Sequence, residues 1–291
     1  MPSAYQSVFR PGLFAGQVAV VTGGGSGIGR CTAHELSALG AKVALVGRRI
    51  EKLEAVKSEI AHSGGEARAY ACDIREEDRV RGTVAAILGD FGRIDALVNN
   101  AGGQFAAPLE TISAKGWDAV VRNNLTGGFL FARECYTQWM KQAAQASGTG
   151  AIVNIIADMW HGMPWMGHSG AARAGMLNFT ETAALEWAPV RVNAVAPGWI
   201  ASSGMDQYPP EMQERIRSLP KFSPLHRVGT EAEVSSAICF LLSPGAAYVS
   251  GSCLRVDGAA PNVKPSRPIP NTKAAFEYNG FHLYEKPKVF R

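Results

Sequence analysis

Apolar positions along the chain follow two alternating patterns. Short unbroken runs such as Val18–Thr22, Lys42–Val46 and Ala151–Ile156 are rich in valine and isoleucine, as strands covered on both faces require. Between them, apolar residues recur every three or four positions, as they do on helices with one buried face. The first such stretch runs from Gly27 to Leu39 and is ended by Gly40. The second, Ile50–Ile60, is stopped by Ser63, Gly64 and Gly65. Strands at Ala67–Cys72 and Ala96–Asn99 flank a helix at Glu76–Phe91. A long helix from Asn124 to Ala146, the strand Ala151–Ile156, a helix at Gly170–Trp187 and a strand at Val190–Val195 follow. A helix over Glu231–Leu242 and a strand over Cys253–Asp257 complete the series.

Strands alternating with helices of this length imply right-handed βαβ crossovers. The pattern predicts a single-domain, doubly wound α/β fold with a seven-stranded parallel sheet and helices on both faces. An extension (1–13) precedes this unit (14–258), and an arm (259–291) follows it. The arm holds five of the 16 prolines and shows no periodicity, yet carries Phe276, Tyr278, Phe281, Tyr284 and Phe290. A purely solvated tail has no use for five aromatics. It reads as an extended segment lying on its own or a neighbouring subunit, the alternative being disorder.

Charge sharpens that division. Of 29 basic and 25 acidic residues, six basic and two acidic ones lie in 261–291, which leaves 23 of each before it. The body is neutral and the arm supplies the net +4, so a nucleic-acid-binding body is excluded. No apolar run is long enough to span a membrane, and residues 1–16 contain no signal-peptide core. Five scattered cysteines without a C-x-x-C pair suit reduced thiols in a cytoplasmic protein, and they suggest no metal site.

Candidate chemistry begins at Thr22-Gly23-Gly24-Gly25-Ser26-Gly27-Ile28-Gly29, where a strand passes through glycines into a helix. Glycines allow a tight turn and close approach to a pyrophosphate, whose charge meets the free N–H groups of the helix N-terminus. The alternative is a bare structural turn. At the end of the second strand, where a carboxylate would hold the ribose of NAD, the chain has Gly47-Arg48-Arg49. Nothing there repels a 2′-phosphate and two guanidinium groups can grip one, so NADP(H) is preferred over NAD(H). Arg49 is the one that could be a solvated bystander.

These residues resemble the short-chain dehydrogenase/reductase family. The likeness extends over about 14–258 and includes Asp73, Asn99-Asn100-Ala101-Gly102, Asn124, Arg191–Gly198 and Val256-Asp257-Gly258. It implies cofactor contacts at Gly23, Ser26, Gly27, Ile28 and Gly29, at Asp73 and Ile74 on the adenine side, and at Asn100, Ala101 and Gly102. Arg173, Pro197, Gly198 and Ile200 would continue them, with Ser202 where the family usually holds the carboxamide with threonine. It also implies a homotetramer, or a homodimer, through the helices at Asn124–Ala146 and Gly170–Trp187.

The reaction centre departs from the family pattern. Ala157 stands at the usual serine, and the Tyr-x-x-x-Lys stretch reads Ser169-Gly170-Ala171-Ala172-Arg173. Oxidising a carbinol needs a base for the hydroxyl proton, and arginine does not lose a proton near neutral pH. Reducing a double bond conjugated to a thioester needs only donors for the developing enolate and a weak acid. Asn99–Phe105, Lys115-Gly116-Trp117 and His168–Gly175 are similar to the trans-2-enoyl-CoA and 2,4-dienoyl-CoA reductase branch.

The reading is therefore an NADP(H)-dependent reductase of α,β-unsaturated acyl-CoA, with a hydrophobic small-molecule substrate. Asn124 and Arg173 are expected to organise cofactor and water, Ser169 to donate to the carbonyl oxygen, and Asp158 to act as the acid. Asp158 could equally pair with Arg173 or cap the next loop. His161 and His168 are either proton shuttles or structural histidines. Trp160, Trp165, Met163 and Met166 line an acyl pocket or pack in the core. Residues 203–228 would cover the substrate, and the arm could bring Lys or Arg toward an anionic one. Two alternatives stay open: a dehydrogenase of hydrophobic alcohols or aldehydes such as acyclic terpenoids, and a non-catalytic NADP(H)-binding homologue.

Overall fold

A computed structural model describes residues 4–208, 210–264 and 266–291. Seven parallel strands form the central sheet: β1 (Val18–Thr22), β2 (Lys42–Gly47), β3 (Ala67–Ala71), β4 (Ala96–Asn99), β5 (Ala151–Ile155), β6 (Arg191–Pro197) and, last in the chain, β9 (Cys253–Val256). Their order across the sheet is β3-β2-β1-β4-β5-β6-β9. The chain reverses direction across the sheet between β1 and β4, which opens a crevice at the carboxyl ends of those strands. A separate two-residue pair, β7 (Ile200–Ala201) with β8 (Gly229–Thr230), anchors both ends of residues 202–228.

Alternation along each strand divides the interior into two cores. Ala19, Val21, Val43, Leu45, Val98 and Val153 face α1 (Gly27–Ala38), α2 (Ile50–His62) and α9 (Glu231–Leu242). Val20, Ala44, Val46, Leu97 and Ile152 face α3 (Glu77–Phe91), the middle of a long helix, and α7 (Gly167–Glu186). That double burial is why the strands read as unbroken apolar runs.

The long helix differs from expectation. It begins at Ala114, ten residues before Asn124, with the Ser113 hydroxyl accepting the Gly116 N–H at 3.1 Å. It continues as α4 (Ala114–Val121), a π-turn (Arg122–Thr126), α5 (Gly127–Cys135), a second π-turn (Tyr136–Met140) and α6 (Lys141–Ser147), ending at left-handed Gly148. The early start was hidden because Lys115-Gly116 breaks the apolar rhythm before Trp117 and Val120. A further helix, α8 (Pro210–Ser218), lies within 202–228. No helix among the described residues is long and apolar enough to cross a membrane, and no His/Cys/Asp/Glu cluster there could hold a metal ion.

The arm lies on its own chain. Arg227 donates to the Ala275 and Phe276 carbonyls, and the Thr230 hydroxyl donates to Tyr278 O at 2.6 Å. Gln6 N donates to Gly280 O, and the Tyr278 hydroxyl donates to Gln6 O. Phe281, 3% exposed, packs between Tyr5 and His34 with the Arg30 guanidinium 5.1 Å from its ring centroid. Tyr278, Phe281 and Tyr284 thus pack with Tyr5, Cys31 and Ala232 of the same chain, Phe290 packs against Met205, Ile216 and Leu219, and Phe276 is left exposed.

Candidate active site

The glycine loop packs as its composition suggests. Gly23 has φ +68°, reachable without strain only by glycine, and a Cβ on Gly29 would strike the Gly23 carbonyl and the Asn100 amide. Ser26 precedes α1 in extended backbone without using its side chain as a cap, and no acidic residue occupies the first turn of α1. The helix N-terminus is accordingly free for an anion. Thr22 ties this loop to the next strand end: its Oγ1 accepts the Asn100 and Ala101 N–H groups, both at 3.0 Å.

Gly23, Ser26, Arg48, Arg49, Asp73, Ile74, Ala101 and Gly102 gather around one cleft, joined by Lys52 and Asn123. Lys52 was not anticipated, although its place one turn into α2 could have suggested it. Arg48 and Arg49 are exposed and, among the described residues, form no ion pair. Asp73 accepts a forked bond from Arg75, whose guanidinium holds the carboxyl down at about 2. Gly27, Ile28 and Asn100 build the turn behind this cleft. Pro197 ends β6, and Gly198, Ile200 and Ser202 follow it; Ile200 is 7% exposed and pairs with Gly229 of β8.

The expected catalytic residues divide into two groups. Asn124, in the first π-turn, spends its amide on the chain: Oδ1 accepts Gly103 N at 3.1 Å, and Nδ2 donates to Gly103 O and Val120 O. It fixes the loop after β4 and leaves no donor facing a water. Arg173 is buried, with Nη1 donating to Ile155 O at 2.6 Å and Nε unpartnered. Burial lowers its guanidinium to about 10. A Cβ on Gly102 would come within 2.7 Å of both Arg173 Nη2 and Asn124 Oδ1, so only glycine fits there.

Ser169 is fully buried and donates its hydroxyl to Gln104 Oε1 at 3.2 Å. This differs from a hydroxyl presented to a substrate. Gln104, exposed on the loop that Asn124 holds, is the polar group left facing out. Its proximity could be found only by folding the two segments together. His168 is buried, its Nδ1 accepting Ser169 N, its Nε2 unpartnered and its ring edge-on to Phe105 at 4.6 Å.

Asp158 forms no ion pair with Arg173 among the described residues. It faces Asp257, Arg255 and His161, with Oδ1 buried and unpartnered. Burial and, next, the Asp257 charge push its carboxyl above the usual carboxylate range. Arg255 binds Asp257 at 2.7 Å and lies 4.9 Å from the Trp160 ring centroid. Trp160 also packs against Ile156 and Met176, whereas Trp165 is half exposed. His161 and Trp165 have φ near +70°, a strained conformation that accumulates at functional loops.

The chain belongs to the short-chain dehydrogenase/reductase family: residues 23–259 match the family model described as enoyl-(acyl carrier protein) reductase. It is an oxidoreductase of the class that uses a nicotinamide cofactor. Among solved structures it is similar to a citronellol catabolism dehydrogenase (AtuB) of Pseudomonas aeruginosa PAO1. The two are 58% identical with a TM-score of 0.78, over 88% of this chain and 99% of that one. It is 35% identical to the peroxisomal 2,4-dienoyl-CoA reductase of Danio rerio, over 88% of this chain and 85% of that protein. A 3-oxoacyl-[acyl-carrier-protein] reductase of Synechocystis sp. is 40% identical over 83% of this chain and 96% of its own.

Proposed function

We propose that this protein uses NADPH to reduce the carbon–carbon double bond of an α,β-unsaturated acyl-CoA. The observation that carries the reading is where the tyrosines lie. Tyr5 and Tyr278 are under α1, Tyr70 donates to Asp90, Tyr136 stacks on Trp187, Tyr248 is on the surface, and Tyr284 is in the arm. Tyr208 packs beneath α8, where burial pushes its hydroxyl up, the opposite of what a base needs. Carbonyl–alcohol chemistry therefore lacks a phenolate, whereas enolate chemistry has donors and an acid.

The glycine loop and α1 N-terminus would hold the pyrophosphate, and Arg48, Arg49 and Lys52 a 2′-phosphate; when bound, the nicotinamide supplies the hydride for the β-carbon. Gln104, its Oε1 held by Ser169, donates from Nε2 to the thioester oxygen as negative charge develops. Asp158, whose carboxyl burial and Asp257 push upward, gives its proton to the α-carbon. Arg173 adds fixed positive charge and binds ribose hydroxyls. Phe129 on α5 and Leu185 on α7 are exposed apolar side chains, which supports a homotetramer built through those helices; light scattering checks it.

The 58% identity to a citronellol catabolism dehydrogenase favours a second reading, oxidation or reduction of an acyclic terpenoid alcohol or aldehyde. It also suits the first if the acyl chain is a branched terpenoid one. The test is NADPH absorbance with crotonyl-CoA, longer and methyl-branched 2-enoyl-CoAs, 2,4-dienoyl-CoA and a ketone and aldehyde panel, with citronellol in reverse. Turnover of enoyl thioesters supports the proposal. Alcohol or ketone turnover without it establishes the second reading, and tight NADPH binding without turnover indicates a non-catalytic protein.

A further inference from the structure

The substrate-covering segment carries a contact from the far end of the chain. Val289, in a short turn at Lys288–Phe290, is 3% exposed and packs with Met205, Ile216 and Leu219, all nearly buried. Its backbone is held at both poles. Val289 N donates to Asp206 Oδ1 at 3.4 Å, and Arg217 Nε donates to Val289 O at 3.3 Å. The rest of 202–228 is tied toward its C-terminal end, where Ser223 Oγ donates to Gly258 O and Ala275 N donates to Leu225 O, and at both ends by the β7–β8 pair; Val289 meets it at α8 itself.

Helix α8 has a different neighbour on its other side. Glu214, Arg215 and Ser218 line a cavity of about 630 Å³ together with Trp199 and Phe222, and Leu219 contributes to both the cavity wall and the Val289 cluster. The wall of that cavity is thus one helix thick, and Val289 sits behind it. Upstream, the arm is fixed to the body at Tyr278, Gly280 and Phe281. Any shift of α8 away from the body must pull on that anchored strap.

We propose that Val289 is a positioning residue for the substrate-covering segment: the arm sets where α8 stands and so the width of the cavity for an apolar acyl chain. The mechanical part stands on geometry alone, and the acyl-chain part rests on the function proposed above. Three forms separate them: Val289→Asp, Val289→Ile, and a chain ended after Glu285. Trypsin cleavage after Arg215, Arg217 and Lys221, followed by mass spectrometry, reads the segment without any substrate. It should be about tenfold faster for Val289→Asp and for the shortened chain, and unchanged for Val289→Ile. With a long-chain 2-enoyl-CoA, KM should rise about tenfold while kcat and NADPH affinity stay within about twofold, because uniform binding is what is lost. Cleavage unchanged in both Val289→Asp and the shortened chain would overturn the proposal whatever the substrate. Faster cleavage with no enoyl-CoA turnover in any form would preserve the strap and reject the acyl assignment.

Discussion

Replacing Arg48 by alanine should weaken NADPH binding and leave NADH binding almost unchanged. Arg48 stands directly after Gly47, where a carboxylate would otherwise exclude a 2′-phosphate, and it lines the cleft with Arg49 and Lys52. Its guanidinium is exposed and free of ion pairs among the described residues, so little internal structure is lost with it. A charge-assisted hydrogen bond to phosphate contributes about 1.5–3 kcal/mol. Solvent screening at an exposed site trims this to roughly 1–2 kcal/mol, or about 5- to 30-fold in Kd. Arg49 and Lys52 remain and keep the loss toward the lower end. NADH, which has no 2′-phosphate, should change by less than about twofold. Titration calorimetry with both nucleotides at low and high salt measures this. The wild-type discrimination should itself shrink as salt rises, because the screening length falls from about 10 Å at 0.1 M to about 3 Å at 1 M. Equal weakening of NADPH and NADH by Arg48→Ala would refute the assignment of the phosphate to this cation cluster.

Three other outcomes follow from the site and its surroundings. Asp158→Asn should cut kcat by about 10²- to 10⁴-fold, the usual worth of a general acid. In the wild type kcat should be high while the raised carboxyl is protonated and fall as pH climbs through its pKa; Asp158→Asn should show a flat profile. Gln104→Ala should lower kcat more than Ser169→Ala, since Ser169 acts through Gln104, and stopped-flow hydride transfer with an enoyl-CoA compares them; the reverse order would return the carbonyl contact to Ser169. Glu231, at the start of α9 beside Gly27, has its carboxyl pushed up to about 7 by burial. A raised acid stabilises the fold below its unfolded value near 4.5 and loses that contribution as pH rises to 7. Glu231→Gln should therefore gain stability over wild type by up to about 3 kcal/mol at pH 8 and nothing at pH 4, as read by urea unfolding.

The sheet and the glycine loop were legible because the physics behind them is local. A strand buried on both faces must be apolar throughout, and a helix that receives a pyrophosphate must begin in glycine. Ser169 and Gln104 are 65 residues apart, and only the folded loop that Asn124 holds brings them together. The helix from Asn124 to Ala146 was legible as one element, but the π-turns within it leave no composition signal, and Lys115-Gly116 hid its start at Ala114. The arm was recognisable as atypical from its aromatics, but no local rule could say that Phe281 would choose Tyr5 and His34, or Val289 the underside of α8. In each case the missing information is a long-range contact between residues unremarkable on their own.

The pairing of α1 with α9 has a consequence for how this chain acquires its structure. The Ser235 hydroxyl donates to Glu35 across 200 residues of sequence, and Tyr5 and Ser7 complete the same buried carboxylate cage. Without α9, α1 cannot bury Leu36 and Ala33 against it, and Glu35 loses its Ser235 partner. The first nucleotide-binding helix of the fold is thus completed by one of its last elements. A contact of such long sequence separation is slow to form, so the cofactor loop should gain its order late in refolding, together with α9.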